Sequence, residues 1–195
     1  MSTPMTAKAS VFIATSLDGF IARKDGDLDW LDQANTTVTE GEDCGYTAFM
    51  DTVDILIMGR NTYEKVLTFG PWPYEKPVIV LSRNPIDIPP EIANAVTHSS
   101  ETPEALHTRL TAEGARRLYI DGGITIQRFL NAGLITDLTI TLIPVILGNG
   151  IPLFGSLQQD IPLTHTETLS YPFGFVQLKY EALMQRTQPT GVCHV

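Results

Sequence analysis

The chain contains 195 residues, 43% of them apolar, and its 13 basic and 22 acidic side chains give a formal net charge of −9. This length fits one domain with room for a core and a ligand cavity, and the acidic balance argues against nucleic acid or an anionic membrane as a partner. No segment reaches the roughly 18 apolar residues of a membrane helix, and the first residues lack the pattern of a secretion signal. We therefore expect a cytoplasmic protein.

Strand and helix patterns alternate along the chain as far as Gly133. Short apolar runs predict strands at 9–15, 53–58, 77–82, 95–99 and 117–121. Apolar periodicity and capping residues predict helices at 42–52, 61–67 and 124–130, and one between Thr102 and Gly114. Residues 16–40 are predicted to form a long loop of the kind that serves as a lid or a binding loop. Strands joined by helices at these separations pair in parallel with right-handed crossovers.

Beyond Gly133 the pattern changes to strands alone. Residues 137–147, 164–169 and 175–183 are predicted strands, and the turn at 171–174 joins the last two as a hairpin. The predicted fold class is α/β, with one domain at 9–183, a central mixed, mostly parallel sheet, helices on both faces and an antiparallel C-terminal hairpin. Residues 1–8 are predicted to be disordered or extended, and residues 184–195 to form a tail. The histidines and cysteines lack ligand spacing, so we expect no metal site.

Three polar clusters follow predicted parallel strands. They are 59–62 (Gly-Arg-Asn-Thr), 81–83 (Leu-Ser-Arg) and 121–124 (Asp-Gly-Gly-Ile). The carboxyl ends of parallel strands meet at one edge of a sheet, and open α/β sheets bind ligands outside that edge. Each cluster taken alone is equally compatible with a tight turn and a solvated arginine, but three at one edge favour a phosphate-rich ligand.

The clusters suit different phosphate groups. Gly122 and Gly123 remove side chains where a backbone must approach a diphosphate, and the helix that follows aims its unpaired N–H groups at the same point. Arg60 and Arg83, with nearby hydroxyl groups, offer the donors that a dianionic monoester phosphate requires. This pattern favours NADPH over NADH as the cofactor.

Several motifs in the same order resemble the dihydrofolate-reductase-like family, which includes the C-terminal reductase domain of bifunctional riboflavin-biosynthesis deaminase-reductases. The motifs lie at 16–22, 26–31, 59–64, 80–83, 121–123 and 143–154, and the resemblance spans 9–183. It implies a dihydrofolate-reductase-like single domain, NADPH as hydride donor and, frequently, a homodimer.

The resemblance also implies roles for individual residues. It assigns Ala14, Ile21 and Ala22 to the nicotinamide, the 59–62 and 81–83 clusters to the adenosine phosphate, and 121–126 to the diphosphate. The implied cofactor-binding residues are thus Ala14, Ile21, Ala22, Gly59, Arg60, Asn61, Thr62, Leu81, Ser82, Arg83, Asp121, Gly122, Gly123, Ile124, Thr125 and Ile126. The cis peptide of dihydrofolate reductases carries over to Gly122–Gly123.

The catalytic carboxylate is where this sequence departs from the dihydrofolate reductases. They hold an acid on the helix after the first loop, whereas that helix offers only Glu42, Asp43 or Asp51 here, without a matching local pattern. The candidate catalytic residues are Glu42 and, on the loop, Asp29, which is equally compatible with a solvated position.

Five residues are predicted to bind the substrate: Asp18, Trp30, Phe49, Trp72 and Ile143. For three of them a second interpretation stays open. Asp18 suits an Asx-type turn that ties down its loop. Trp72 lies in a proline-containing loop that is equally an ordinary rigid turn, and Ile143 belongs to an apolar segment that could line the cavity, form core or face a dimer partner.

The function predicted is an NADPH-dependent reductase that transfers hydride to a C=N or C=O bond of a small pterin-, pyrimidine- or ribosylamino-type substrate. One alternative is the 5-amino-6-(5-phosphoribosylamino)uracil reductase step of riboflavin biosynthesis, although no extra basic cluster for a substrate phosphate stands out. The other alternative is a nucleotide-binding module without turnover.

Overall fold

The computed structural model describes residues 6–183, which form ten strands and five helices. The strands are β1 (Lys8–Ser16), β2 (Phe20–Ala22), β3 (Ile55–Gly59), β4 (Val78–Leu81), β5 (Val96–Ser99), β6 (Arg117–Asp121), β7 (Ile135–Ile143), β8 (Ile151–Pro152), β9 (Leu163–Ser170) and β10 (Val176–Ala182). The helices are α1 (Asp29–Asn35), α2 (Tyr46–Asp51), α3 (Arg60–Leu67), α4 (Pro103–Ala112) and α5 (Gly123–Asn131).

Eight of these strands form one mixed sheet in the order β5-β4-β3-β6-β1-β7-β10-β9. The pairs from β5 to β7 are parallel, whereas β10 runs antiparallel to both β7 and β9. Gly174 has φ of +95° in the turn that joins β9 to β10. The predicted fold class is therefore confirmed, including the C-terminal hairpin.

Helices cover both faces of the sheet because side chains alternate along each strand. Ile57 of β3 belongs to the core cluster that holds Leu106 of α4 and Phe129 of α5. Its neighbour Met58 points the other way, into a second cluster with Tyr63 of α3. All five of these side chains are fully or almost fully buried.

The segment predicted as one long loop contains two elements. β2 and α1 both lie within 16–40, and β2 pairs antiparallel with β8 in a separate two-stranded sheet. The partner strand of β2 lies more than a hundred residues further along the chain, so no local pattern could indicate the pairing. α2 is shorter than predicted because Cys44 and Gly45 have φ of +53° and +81°, which a right-handed helix does not allow.

Some of the sequence-based predictions concern the two ends of the chain. Strand β1 begins at Lys8, one residue before the predicted strand start. The expectations for 1–5 and for 184–195 lie outside the described residues. Within 6–183, no helix is both long enough and apolar enough to cross a bilayer.

Candidate active site

A cavity of about 780 Å³ opens at the carboxyl edge of the parallel strands. The ends of β3, β4 and β6, the middle of β1 and the first turns of α3 and α5 border it. The predicted cofactor residues that line it are Ala14, Ile21, Ala22, Gly59, Arg60, Asn61, Thr62, Leu81, Asp121, Gly122, Gly123, Ile124 and Thr125. The first and third polar clusters thus border one space, and their binding of a cofactor stays a prediction.

Two close contacts, each between a glycine and a threonine, join the starts of α3 and α5. A Cβ added to Gly122 would overlap Oγ1 of Thr62, and a Cβ added to Gly59 would lie 2.7 Å from Oγ1 of Thr125. Gly122 also has φ of +87°, a conformation that side-chain-bearing residues rarely adopt. Glycine at both positions is therefore what allows the two loops to approach each other beside the cavity.

Neither of these helices has a side chain capping its first turn. The N-cap residue is Gly59 for α3 and Gly122 for α5, and neither offers a side-chain acceptor. Uncapped first turns leave N–H groups free and carry the positive end of the helix dipole. Two such ends at one cavity suit an anion such as a diphosphate. The Gly122–Gly123 peptide bond is trans, contrary to the cis bond that the resemblance implied.

Three cationic side chains border the same rim. Arg60 and Lys65 lie on α3 and Arg128 lies on α5, and all three line the cavity. Arg60 donates from Nε to Glu64 at 2.6 Å, and Nζ of Lys65 lies 3.3 Å from a carboxylate oxygen of Asp27. Exposed pairs of this kind are weak, so both cations are available to an anionic ligand. Arg128 forms no ion pair with any residue between 6 and 183.

Three predicted cofactor residues do not line the cavity: Ser82, Arg83 and Ile126. Oγ of Ser82 accepts a hydrogen bond from the backbone N–H of Asn84 at 3.3 Å. Ile126 is fully buried in the core, and its N–H donates to the carbonyl of Gly122 at 2.9 Å within α5. Its side chain therefore packs beneath the helix, contrary to the prediction that it contacts a cofactor.

Asp29 does not meet the requirements for the catalytic role predicted for it. It is the exposed first residue of α1, lies outside the cavity lining and forms two hydrogen bonds with Arg23, one of them 3.0 Å from Nη2 to Oδ2. The hydrogen bonds from Arg23 lower the pKa of Asp29, whereas a proton donor near neutral pH needs a raised one. Glu42 does line the cavity, and its Oε1 accepts from the N–H of Cys44 at 2.7 Å.

Asp18 ties two loops together and does not line the cavity, which favours the loop-anchoring interpretation over substrate binding. The anchoring bonds run to distant N–H groups and do not form the Asx-type turn that was predicted. Its carboxylate accepts hydrogen bonds from the hydroxyl of Ser16 at 2.7 Å and from the N–H groups of Leu147 and Gly148 at 3.1 and 2.7 Å. The Ser16 hydroxyl foremost, and then the two N–H groups, lower the pKa of Asp18.

The three aromatic residues predicted to touch the substrate pack elsewhere. Trp30 is only 5% exposed and lies in a core cluster with Ile143. Phe49 stacks on Phe12 with ring centroids 5.0 Å apart, and Trp72 belongs to the same core cluster as Phe49. None of the three lines the cavity, whereas Ile143 does.

The small β2–β8 sheet forms one wall of the cavity. Ile21 and Ile151 line the cavity, and a Cβ added to Gly123 would lie 3.1 Å from Cδ1 of Ile21 and 3.1 Å from the carbonyl oxygen of Pro152. Gln127 of α5 donates from Nε2 to that same carbonyl at 3.1 Å. The β2–β8 sheet therefore packs directly against the first turns of α5.

Asp121 is the carboxyl group best suited to proton transfer at this cavity. Its Oδ1 accepts from the N–H of Gly122 at 2.8 Å, while Oδ2 accepts no hydrogen bond from the described residues. Burial raises the pKa of Asp121 to about 6, and the Gly122 bond opposes the rise. Burial first, and then the charge of Asp121, raises the pKa of Tyr46 and of Tyr74, which also line the cavity.

Sequence reasoning placed Asp121 only at the cofactor and missed the tyrosines around it. Tyr119 precedes Asp121 by two residues on β6, so both side chains share one face of the sheet. That alternation was a usable signal, and Tyr119 does line the cavity. Tyr46 and Tyr74 come from separate segments that only the fold brings together. Lys65 and Arg128 follow the glycine clusters by one helical turn, a spacing that could have revealed them.

A mostly parallel sheet with a cavity between two uncapped helix starts at its carboxyl edge is a dihydrofolate-reductase-like architecture. Dihydrofolate reductase from Enterococcus faecalis, complexed with NADP(H), has the same fold with a TM-score of 0.61 and 17% identity, over 90% of this chain and 96% of that one. The chain belongs to the RibD C-terminal domain family, whose model matches residues 7–176.

Two relatives are considerably more similar in sequence. A crystal structure of a Shewanella sp. PV-4 protein assigned to riboflavin biosynthesis has a TM-score of 0.85 and 41% identity, covering 90% of this chain and 99% of that one. The Bacillus subtilis uncharacterized protein YwjB is 39% identical over 180 residues, which are 90% of this chain and 98% of YwjB.

Proposed function

We propose that this protein is an NADPH-dependent reductase acting on a C=N or C=O bond of a small heterocyclic compound. One observation carries the proposal: two uncapped helix starts and three cations, Arg60, Lys65 and Arg128, surround a glycine-lined rim of a single cavity. Membership of the RibD C-terminal domain family supports the oxidoreductase class.

The rim fits the cofactor in chemical terms. The free N–H groups at the starts of α3 and α5 suit a diphosphate, and Arg60 beside them suits the additional monoester phosphate that distinguishes NADPH from NADH. The β2–β8 wall supplies apolar contacts through Ile21 and Ile151, which suit the nicotinamide ring. The cofactor, when bound, supplies a hydride to the electrophilic carbon of the substrate.

The reduction also consumes one proton, which ends on the nitrogen or oxygen of the reduced bond. We assign that proton to Asp121, because its carboxyl group faces the cavity, has one oxygen without a protein partner and has a pKa of about 6. Near neutral pH such a group is protonated in a useful fraction of molecules and still exchanges readily with water. Tyr46 and Tyr74 line the same end of the cavity and offer hydroxyl groups to position the substrate.

Two alternatives keep specific support. The riboflavin-pathway reduction of 5-amino-6-(5-phosphoribosylamino)uracil is supported by the family and by the pathway assigned to the Shewanella relative. A nucleotide-binding module without turnover would use the same rim but would leave Asp121 without a role.

Titration with NADPH and with NADH, followed through quenching of tryptophan fluorescence, tests the cofactor assignment. We expect saturable binding with a clear preference for NADPH. Oxidation of NADPH is then measured spectrophotometrically with a panel of pterins, pyrimidines and ribosylamino compounds. Binding without oxidation across the panel would favour the binding module, and absence of NADPH binding would refute the proposal.

We further propose a homodimeric assembly, as the family resemblance implied. Strand β9 forms one edge of the large sheet, and all of its residues are exposed. Sedimentation equilibrium of the full chain measures the oligomeric state directly, and a monomer across the micromolar range would refute the dimer.

A further inference from the structure

The charged residues that line the cavity are segregated by sign. The cations Arg60, Lys65 and Arg128 all lie on α3 and α5, the two helices that start at the glycine-lined rim. The lining acids are Glu42 and Asp43, which precede α2, and Asp121 at the end of β6. Within 6–183 the cations thus come from α3 and α5 and form a cationic side, Glu42 and Asp43 form an acidic side before α2, and Asp121 ends β6 directly before the start of α5.

The acidic side is held in place by the fold. The carboxylate of Asp43 accepts hydrogen bonds from the N–H groups of Gly45 and Thr47, both at 2.8 Å. Thr47 foremost lowers the pKa of Asp43, so this group stays anionic at the start of α2. Glu42 is fixed by its 2.7 Å hydrogen bond from Cys44. The carboxylates of Glu42 and Asp43 are thus held in fixed positions beside the cavity.

Aromatic rings line the cavity together with these acids. Phe12 and Tyr46 both line the cavity, with ring centroids 5.7 Å apart in an edge-to-face arrangement. Tyr74 lines it as well. Oδ2 of Asp121, which accepts no hydrogen bond from a described residue, is the polar acceptor at this wall. A planar ring with an N–H donor matches this combination of aromatic faces and a single acceptor.

From this segregation, and resting on the proposed function, we propose that the compound reduced is an unphosphorylated heteroaromatic amine. A dinucleotide with three phosphate groups would occupy the cationic side. A phosphate on the substrate would then lie among Glu42, Asp43 and Asp121 with no described cation to pair with. Like charges placed together in a binding site are strongly unfavourable, so the cavity selects against the phosphoribosyl substrate of the riboflavin-pathway alternative.

The test uses matched ligand pairs that differ only in a phosphate. The probes are 5-amino-6-ribosylaminouracil and its 5′-phosphate, and dihydroneopterin and its monophosphate. Binding to the full chain, with and without NADP⁺, is measured by isothermal titration calorimetry. We expect at least one unphosphorylated probe to bind about tenfold or more tightly than its phosphorylated partner, as expected for like-charge exclusion. Binding of neither unphosphorylated probe, or equal or tighter binding of the phosphorylated ones, would overturn the inference.

A variant that reverses one charge provides a second test of the phosphate exclusion. Glu42→Lys places a cation on the acidic side. The ratio between the affinities of the unphosphorylated and phosphorylated probes should therefore fall by about tenfold. Glu40→Lys is the matched control, because Glu40 is exposed in the same segment but does not line the cavity. If both variants shift the preference equally, net charge alone explains the effect and the inference fails.

The outcomes separate this inference from the proposed function. NADPH affinity and NADPH oxidation are recorded on the same protein. Binding of NADPH together with a preference for phosphorylated probes would overturn the inference and leave the reductase proposal standing. Absence of NADPH binding together with a preference for unphosphorylated probes would refute the reductase proposal, and only the exclusion of phosphorylated ligands would remain.

Discussion

The carboxylate of Asp18 accepts a hydrogen bond from the backbone N–H of Gly148 at 2.7 Å, although the two residues lie 130 positions apart. The contact joins the turn before β2 to the segment before β8. Strands β2 and β8 pair with each other and form the cavity wall that packs against α5. Asp18 therefore stabilises this wall, although it does not line the cavity itself.

Asp18→Ala is expected to loosen that wall. The N–H groups of Leu147 and Gly148 lose their acceptor, so their amide hydrogens should exchange faster and the KM for NADPH should rise. Hydrogen exchange measured by mass spectrometry on residues 144–152 checks the first effect. Asp32→Ala is the control, since Asp32 is an exposed aspartate of α1 with no side-chain hydrogen bond to a described residue. Unchanged exchange in Asp18→Ala would contradict the role assigned here.

Gly122→Ala is expected to destabilise the protein and to weaken NADPH binding. The added Cβ overlaps Oγ1 of Thr62, and φ of +87° is unfavourable for alanine. Gly114→Ala is the matched control, because Gly114 has φ of +95° with nothing within 4 Å of an added Cβ. We expect the control to lose about 1 kcal/mol of unfolding free energy and Gly122→Ala about 2 kcal/mol more. Urea denaturation measures both, and equal losses would show that the overlap with Thr62 is harmless.

Arg60→Ala and Arg128→Ala are expected to differ in cofactor selectivity. Arg60 is proposed to contact the phosphate that only NADPH carries, so its loss should weaken NADPH by about tenfold or more and leave NADH nearly unchanged. Arg128, on α5 beside the glycines, should affect both dinucleotides alike. Fluorescence titration of each variant with each dinucleotide gives the four affinities. Equal weakening of NADPH and NADH in Arg60→Ala would mean that Arg60 does not read the additional phosphate.

Asp121 is expected to give the reaction its pH dependence. If its carboxyl group supplies the proton, turnover is highest while the group is protonated and declines as the pH rises through its pKa of about 6. Asp121→Asn cannot release a proton, so its turnover should be low and should lack this inflection, while NADPH affinity is retained. A profile of kcat from pH 5 to pH 9 for both proteins makes the comparison. An inflection near pH 6 that persists in the variant would assign the proton to another group.

The same substitution is expected to stabilise the fold at alkaline pH. Burial raises the pKa of Asp121 from 3.8 to about 6 in the folded protein, so the folded state loses stability as the pH rises through that window and the carboxyl ionises. Asparagine removes this penalty, which amounts to about 1 to 3 kcal/mol. Denaturation midpoints should therefore favour Asp121→Asn at pH 8, and the advantage should shrink toward pH 4. A variant that is less stable at pH 8 would refute the buried-charge account.

Much of the rim that is proposed to bind the cofactor could be predicted from local patterns. A strand that runs into Gly-Arg-Asn-Thr, and another that runs into Asp-Gly-Gly, each indicate a turn and a helix start at one edge of a parallel sheet. Gly59, Gly122 and Thr62 do meet there. The second cluster shows the limit of the argument, because only Leu81 of that cluster reaches the cavity. Strand ends follow from the sequence more readily than the direction of each side chain after the strand.

The substrate side could not be predicted in the same way. Asp29 and Trp30 belong to a recognisable motif, yet one pairs with Arg23 in solvent and the other is buried in a core cluster. Tyr46 and Tyr74 belong to no motif and come to the cavity from different segments. Their positions depend on how α2 and the segment after α3 pack against the sheet.

The sequence by itself determined the α/β class, the mixed sheet and the glycine-rich helix starts, because hydrophobic periodicity and glycine placement act over a few neighbouring residues. Only the tertiary structure decided which carboxyl group beside the cavity has a raised pKa. Burial raises the pKa of Asp121, whereas hydrogen bonds lower the pKa of Asp18 and of Asp29. That burial arises from segments far apart in the chain, although the hydrogen-bond partner of Asp121 is the adjacent Gly122. The pairing of β2 with β8 and the separation of positive from negative charge across the cavity were decided at that level for the same reason.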